Sequence, residues 1–319
     1  MSTRAIVVRD DGGEVRAGVQ QVELAGPGKG ETLLAVTHSS LNYKDAMAVA
    51  GRPGILRGLP MVPGIDAVGR TPDGRSLVVT GAGLGERRHG GLAEQVVIEH
   101  ATAVPVPEAY TPRQAAAIGT AGVTAALAAL ALRRHGAPDG PVLVTGAGGG
   151  VGGYAVALLS ALGHRVVAST GRREALEEHL TGLGAAEVVD RLDPAPGRPL
   201  QQQRWAAVVD AVGGGPLVNA IAQTVPGGVV AACGLAASPD LPGTVLPFIL
   251  RGVVLAGVDS VAIGQDARRE AWALLVAHVP GDVVDRLTER EIGLGEVAAA
   301  ADEVLAGRIR GRVVVDVRR

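Results

Sequence analysis

Residues 5–8, 32–37, 76–80 and 93–98 are short apolar runs separated by clusters of Gly, Pro and Asp. That punctuation predicts strands joined by tight turns, and it holds to about residue 112. There the pattern changes. Thr111-Pro112-Arg113-Gln114 reads as a helix start, with Thr as N-cap and Pro at the first helical position, and a long Ala-rich run follows. Strands and helices then alternate: strand 142–145, helix 151–162, strand 165–169, helix 173–183, strands 188–189 and 206–210, helix 216–224 and strand 228–233. Such alternation predicts a parallel sheet with helices on both faces. Residues 312–317 return to strand character and are expected to rejoin the first, β-rich region.

A chain of 319 residues is long enough for two domains and a sizeable core. Its hydrophobic fraction of 47% and charged fraction of 19% are those of a globular protein. Aromatic residues make up only 2%, so the core must be built from Ala, Val and Leu. A formal charge of −2 argues against nucleic acid as a main partner. Cys233 is the single cysteine, which excludes a disulfide within the chain and a Cys-rich structural zinc lobe. The N-terminus, MSTRAIVVRDDGG, enters an apparent strand at once and lacks the pattern of a signal peptide, so the expected location is cytoplasmic. The uncharged run from Ala115 to Leu132 is mostly Ala, Gly and Thr, which insert poorly into lipid; it predicts a buried helix and no membrane partner.

The chemistry begins at VLVTGAGGGVGG, residues 142–153, a strand followed by a glycine turn and a helix start. Such a turn brings backbone N–H groups and a helix N-terminus up to a pyrophosphate. It satisfies overlapping patterns: Gly148-x-Gly150-x-x-Gly153, the Ala-first variant from Ala147, and the short-chain dehydrogenase pattern from Thr145-Gly146. The last needs a downstream Tyr-x-x-x-Lys pair, and the only lysines, Lys29 and Lys44, lie upstream. A P-loop is excluded because no Gly-Lys-Ser/Thr is present. The second strand ends Ser169-Thr170-Gly171, where an NAD site would usually place Asp or Glu for the ribose 2′-hydroxyl. Arg172 and Arg173 follow instead, and cations at a helix start are unfavourable without an anion nearby. The pattern therefore predicts NADPH. Gly148, Gly149, Gly150 and Val151 are the pyrophosphate candidates; Thr170, Gly171 and Arg172 are those for the 2′-phosphate.

Four further motifs carry a resemblance: Leu41-Asn42-Tyr43-Lys44-Asp45, Val62-Pro63-Gly64-Ile65-Asp66, Gly119-Thr120-Ala121-Gly122-Val123-Thr124-Ala125 and Leu183-Gly184-Ala185. The chain resembles the zinc-free quinone-oxidoreductase branch of the medium-chain dehydrogenase/reductase superfamily. The runs LNYKDAMAVAG, PMVPGIDAVG, GGLAEQ, VVAACGLA and LPFILRGVVLAGVDSV are similar to the acrylyl-CoA reductases of the AcuI/YhdH type. The resemblance implies an α/β chain with a GroES-like catalytic domain, residues 1–112 plus 290–319, and a Rossmann NADPH-binding domain, 113–289. Zinc members carry Gly-His-Glu where this chain has Gly64-Ile65-Asp66, and its seven histidines lack metal-ligand spacing, so no metal is expected. One departure stands out. The family usually has tryptophans in the loop before GGLAE, and here Ala82 and His89 stand in that loop.

The resemblance implies hydride transfer from NADPH to the β-carbon of a small enoyl thioester and a proton to the α-carbon, with charge developing on the thioester oxygen. It makes Tyr43 a contact near nicotinamide and substrate and a candidate proton donor. Asn42 would orient substrate or ribose, whereas Asp45 reads better as a helix cap or ion-pair partner. Leu235 would lie near the nicotinamide, with Ser260 and Thr124 as further cofactor contacts. Cys233 reads as a small buried residue rather than a nucleophile. Arg52, Arg57, Arg87, Arg88 and Arg310 are available to rim a channel for CoA phosphates, and residues 247–261 are expected to pair across a homodimer. Two other activities fit the same residues: a quinone or 2-alkenal reductase, and a non-catalytic NADPH-binding sensor.

Overall fold

The computed structural model describes residues 1–319. In chain order the elements are β1 (Ser2–Asp11), β2 (Glu14–Glu23), β3 (Glu31–Leu41), α1 (Tyr43–Val49), β4 (Asp66–Arg70), β5 (Ser76–Thr80), β6 (Gln95–Glu99), β7 (Ala103–Pro105) and α2 (Pro112–Arg134). They continue with β8 (Val142–Val144), α3 (Gly150–Ala161), β9 (Val166–Thr170), α4 (Arg173–Gly182), β10 (Glu187–Asp190), β11 (Trp205–Asp210), α5 (Gly214–Ala222) and β12 (Thr224–Ala232). The last are α6 (Leu246–Arg251), β13 (Val254–Gly257), α7 (Gln265–His278), α8 (Gly281–Leu287), β14 (Thr288–Gly293), α9 (Val297–Leu305) and β15 (Arg312–Asp316). Two compact units result: residues 1–123, 260–276 and 280–319 form the first, and 124–259 with 277–279 the second.

In the first unit β1 and β2 pair as an antiparallel hairpin, and a seven-stranded sheet runs β14-β15-β3-β4-β5-β7 with β6 also on β3. The C-terminal strand does return here: β15 lies antiparallel to β3, with Val313 opposite Leu41. Leu34, Val36, Val96, Val313 and Val315 pack in one core with Val297, Ala300 and Ala301 of α9. The expected second domain ran from 113 to 289, but α7 sits mostly in the first unit. Its Gln265 Nε2 donates to Ala103 O (2.7 Å) and its buried Arg268 Nη1 donates to Thr80 O and Oγ1 (2.5 and 2.6 Å).

The α2 start is a reciprocal cap: Gln114 N donates to Thr111 Oγ1 (3.2 Å) and Thr111 N to Gln114 Oε1 (3.0 Å). Its apolar stretch passes the length and composition test for a membrane span, yet 83% of it is buried, as a core helix would be.

The second unit is a six-stranded parallel sheet ordered β10-β9-β8-β11-β12-β13. Numbered by appearance that is 3-2-1-4-5-6, the doubly wound order, which reverses between its first and fourth strands. β8, β9 and β11 are buried throughout, the mark of strands covered on both faces. The helix expected at 216–224 runs instead over Gly214–Ala222, because Thr224 Oγ1 bonds Ala220 O (2.8 Å) and its backbone already opens β12.

Candidate active site

The strand order reverses between β8 and β11, and in doubly wound sheets ligands bind at the carboxyl ends of the strands on either side of such a reversal. Asp210, fully buried at the end of β11, ties these tips together. It accepts Thr145 Oγ1 (2.6 Å) on one oxygen and the N–H groups of Val212 (3.2 Å) and Gly213 (2.7 Å) on the other. Burial pushes its pKa up against these bonds. The glycine turn closes beside it, with Ala147 N on Ser169 O (3.1 Å) and Gly149 N on Gly146 O (2.9 Å). The first i→i−4 bond of α3 is Gly153 N to Gly149 O (2.9 Å), so Gly150, Val151 and Gly152 have no helical acceptor for their N–H groups. A Cβ on Gly152 would stand 2.3 Å from Gly146 O, so the backbone approaches here as only glycine permits. This is a cradle shaped for a pyrophosphate.

Several predicted cofactor residues do come together. A Cβ on Gly148 would lie 3.4 Å from Thr170 Oγ1 and 3.7 Å from Arg172 Nη2. Thr170 Oγ1 also accepts the Arg172 N–H (3.2 Å). No carboxylate occupies the tip of β9. Arg173 turns to Asp190 (3.8 Å) and Glu177 (3.9 Å). Leu235 is exposed on a cavity of ≈ 550 Å³ at the ends of β12 and β13, lined also by Gly213, Cys233 and Ser238. Burial and the neighbouring Asp210 push the Cys233 thiol up to about 12, so it is a protonated group, bonded to Asp210 O (3.2 Å), not a nucleophile. Thr124 is buried in α2. Ser260 belongs to the first unit, where its carbonyl would meet a Cβ on Gly81 at 3.0 Å.

In the first unit three sequence motifs converge on one buried polar network. Asn42 caps α1: its N–H donates to Asp45 Oδ2 (3.0 Å), and its Nδ2 donates to Asp45 Oδ2 (2.9 Å) and Asp66 Oδ2 (2.8 Å). Asp45 Oδ1 accepts Gly64 N (3.1 Å) and Ile65 N (2.9 Å). Asp66 also accepts Ser40 Oγ (2.6 Å) and both Thr120 N (2.9 Å) and Oγ1 (2.6 Å). The buried Arg312 guanidinium stands 3.7 Å from Asp66 and donates to Ser40 Oγ (2.6 Å) and Ala117 O (2.8 Å). Gly119 explains the kink in α2: its φ is +44°, and a Cβ there would stand 2.4 Å from Asp66 Oδ2. Burial and the Asp66 charge push Asp45 up to about 6, against the donors that surround it.

This network holds the start of α1 rigidly. Tyr43, its first residue, is 38% exposed, and no hydrogen bond joins its hydroxyl to the protein. The Asn42 amide nitrogen, by contrast, is spent on two carboxylates. Of the two roles expected for Asp45 the capping one holds: from the third helical position it accepts the N–H of the N-cap Asn42, while Lys44 pairs with Glu86 instead. Asp66, Arg312 and Asp210 were not picked out as site residues. A lone Asp closing an apolar VPGID run and a lone Arg opening RVVVD were the available signals.

The loop at 81–89 keeps an unusual backbone. Ala82 has φ +54° between two glycines of positive φ, and its N–H bonds Val261 O (3.1 Å). His89 Nδ1 accepts the Val62 N–H (3.1 Å), and burial pushes its pKa down, which suits a neutral acceptor. Among the candidate phosphate ligands, Arg88 is committed to Glu31 and Glu99. Arg310 is half-buried, its backbone N–H on Glu289. Arg52, Arg57 and Arg87 are exposed and take part in no ion pair. No group of three or more His, Cys, Asp or Glu side chains is placed to hold a metal ion.

Known proteins match this arrangement. A family model described as zinc-binding dehydrogenase matches residues 150–277, which lie within the nucleotide-binding half and α7. The chain is 43% identical over 324 residues to the probable acrylyl-CoA reductase AcuI of Escherichia coli, covering 98% of this chain and 99% of that protein. It is 39% identical over 329 residues to the putative quinone oxidoreductase YhfP of Bacillus subtilis, covering 99% of each. The crystal structure of the yhdH oxidoreductase from Salmonella enterica in complex with NADP superposes with a TM-score of 0.93 at 42% identity, over 99% of this chain and 100% of that one.

Proposed function

The chain belongs to the medium-chain dehydrogenase/reductase superfamily, and on that premise we propose that it is an NADPH-dependent reductase of the activated carbon–carbon double bond of a small enoyl thioester, acryloyl-CoA or a near analogue. The observation that carries this reading is likeness to an acrylyl-CoA reductase over 98% of the chain, which takes in both units and not the nucleotide-binding one alone. The glycine cradle and the acid-free tip of β9 fit NADPH, which when bound supplies the hydride. The backbone from Gly148 to Val151 holds the pyrophosphate, and Thr170, Gly171 and Arg172 hold the 2′-phosphate. Thr124, Leu235 and Ser260 are the further cofactor contacts. Tyr43 offers its unpartnered phenol as the proton donor, and Asn42 holds it in place from inside the buried network.

Exposed, unpaired Arg52, Arg57 and Arg87 support a phosphate-bearing substrate. A homodimer is supported by β13, which is an edge strand, and by Ile249 and Leu250 beside it in sequence, 70% and 62% exposed. The proposed compartment is the cytoplasm. Ala82 and His89, where bulky aromatics are expected, favour a second reading as a quinone or 2-alkenal reductase, the class named for the Bacillus relative. One assay decides: NADPH oxidation with acryloyl-CoA, crotonoyl-CoA, acrolein and a small quinone, each repeated with NADH. A kcat/KM highest for a CoA thioester supports the first reading. A higher value for acrolein or the quinone supports the second, and cofactor binding without turnover would leave a sensor.

A further inference from the structure

Lys44 and Asp45 are successive residues of α1, and each ties the helix to the 81–89 loop by a different route. The inner route is buried. Asp45 Oδ1 accepts Gly64 N (3.1 Å), and the loop lies against that glycine: a Cβ on Gly85 would stand 2.6 Å from Gly64 N, and the φ of Gly85 is +66°. The outer route is an ion pair. Glu86, the next residue after Gly85, holds Lys44 Nζ at 2.6 Å, with the Lys44 and Glu86 side chains only 29% and 13% exposed. The Glu86 backbone is fixed in turn, its N–H on Gly83 O (3.3 Å) and its carbonyl accepting Arg57 N (2.9 Å). These contacts close a ring that leaves α1 at Asp45, passes Gly64, Gly85 and Glu86, and returns at Lys44. α1 has seven residues, too few to hold a helical geometry unaided. Its first turn, which begins at Tyr43, takes its orientation from that ring and from the Asn42 cap.

We propose that Glu86, through its ion pair with Lys44, is a positioning residue for the Tyr43 phenol. The inference rests on the reading of Tyr43 as proton donor given above. Asn42 and Asp45 hold the first turn of α1 on its buried side, and the ion pair holds it on the side toward the loop. A sheltered pair is screened less by solvent and salt than an exposed one, so it can fix a geometry that a surface pair would leave loose. A general acid works only within hydrogen-bond reach of the place that receives its proton, and a displacement of about 1 Å can lower a rate by about 100-fold. Glu86 gives and takes no proton in the reaction. It acts on the rate through the place where it holds the helix.

The test is a double-mutant cycle on the intact chain, with NADPH and either acryloyl-CoA or acrolein as reactants. Tyr43→Phe removes the phenol, and Glu86→Gln removes the ion pair. Glu86→Gln alone is expected to lower kcat about 10-fold, with the KM for the acceptor and the Kd for NADPH each within about 3-fold of the parent. In a Tyr43→Phe background the same substitution should change kcat by less than about 2-fold, because the group it positions is gone. Lys44→Gln breaks the pair from the α1 side and should reproduce both results; it carries the test if Glu86→Gln does not fold. A pair that served stability alone would give the same loss in both backgrounds. That result, or a kcat unchanged by breaking the pair, would overturn the positioning role while leaving Tyr43 as proton donor. A Tyr43→Phe variant as fast as the parent, or a parent that reduces neither acceptor, would overturn both.

Discussion

Asp45→Asn exchanges one carboxylate oxygen for an amide nitrogen at the centre of the buried network. In the parent, Oδ1 accepts Gly64 N and Ile65 N, and Oδ2 accepts Asn42 N and Nδ2, all between 2.9 and 3.1 Å. Asn offers one oxygen. Whichever pair of donors it satisfies, the NH₂ faces the other pair, and two buried N–H donors lose their acceptor at about 1–3 kcal/mol each. The exchange also removes a buried charge and its repulsion with Asp66, which returns part of that loss. The net destabilisation expected near neutral pH is about 2–4 kcal/mol.

The pH dependence supplies the sharper test. Asp45 is raised from its usual 3.8 to about 6 in the folded chain. A raised acid binds its proton more readily when folded, so its contribution to stability is complete below pH 3.8 and lost as pH rises through about 6. The variant lacks that titration. The stability gap between parent and Asp45→Asn should therefore widen by about 1 kcal/mol from pH 8 to pH 5. The assay is urea unfolding in a Trp205→Phe background, so that Trp272, buried in the first unit, is the sole tryptophan reporter of the unit that holds Asp45. A gap that stays flat or narrows over that range would refute the reasoning. It would mean that the four N–H donors outweigh burial and the Asp66 charge and keep Asp45 ionised.

Gly149→Ala and Gly152→Ala should part company. The first meets nothing closer than Gly146 O at 3.4 Å and should fold normally while raising the NADPH Kd about 10-fold or more; the second clashes at 2.3 Å and should lower the melting temperature as well. Calorimetric binding beside a melting curve separates them. His89→Phe removes the acceptor of the Val62 N–H and should cost about 1–2 kcal/mol. Because burial lowers the His89 pKa below 6.5, the parent should lose the stability due to this group as pH falls through that range. His38 shifts the same way in both proteins, so the parent–variant difference isolates His89, and it should shrink on acidification. Ile249→Lys should convert the proposed homodimer to a monomer by light scattering, and a mass unchanged by the substitution would overturn the assignment of an interface to α6.

The nucleotide-binding unit was legible because its constraints are local. A buried parallel strand must be apolar throughout, a pyrophosphate turn must be glycine, and both show in residues 142–153 without knowledge of anything distant. The same holds for the α2 start, where Thr111 and Gln114 cap each other across one turn. The missed features depend on partners far along the chain. Arg268 sits on a helix that looks charged and solvated, yet it is buried against Thr80, 188 residues away. Arg312 reaches Ser40 across 272 residues. No spacing rule links such residues, so the division of the chain into units could not be drawn from the pattern at 260–289.

The substrate half was illegible for a related reason. The motifs around Asn42, Asp66 and Gly119 look like a catalytic signature, but most of their polar atoms face one another inside the first unit. What they fix is the position of one exposed phenol. Selectivity is then left to side chains that the network does not dictate. The backbone of the 81–89 loop is pinned by the main-chain bonds of Gly81 N to Ile65 O (2.8 Å), Ala82 N to Val261 O (3.1 Å) and Gly85 N to Arg88 O (2.9 Å), so small or polar residues occupy it without loss of shape. A loop whose path is held by main-chain bonds can trade aromatic bulk for an alanine and a histidine and still close. The fold and the hydride source are therefore compatible with more than one acceptor. Discrimination between a CoA thioester and a smaller enal or quinone resides in the difference of their kcat/KM values, which the unpaired arginines at 52, 57 and 87 should tilt toward the phosphate-bearing substrate.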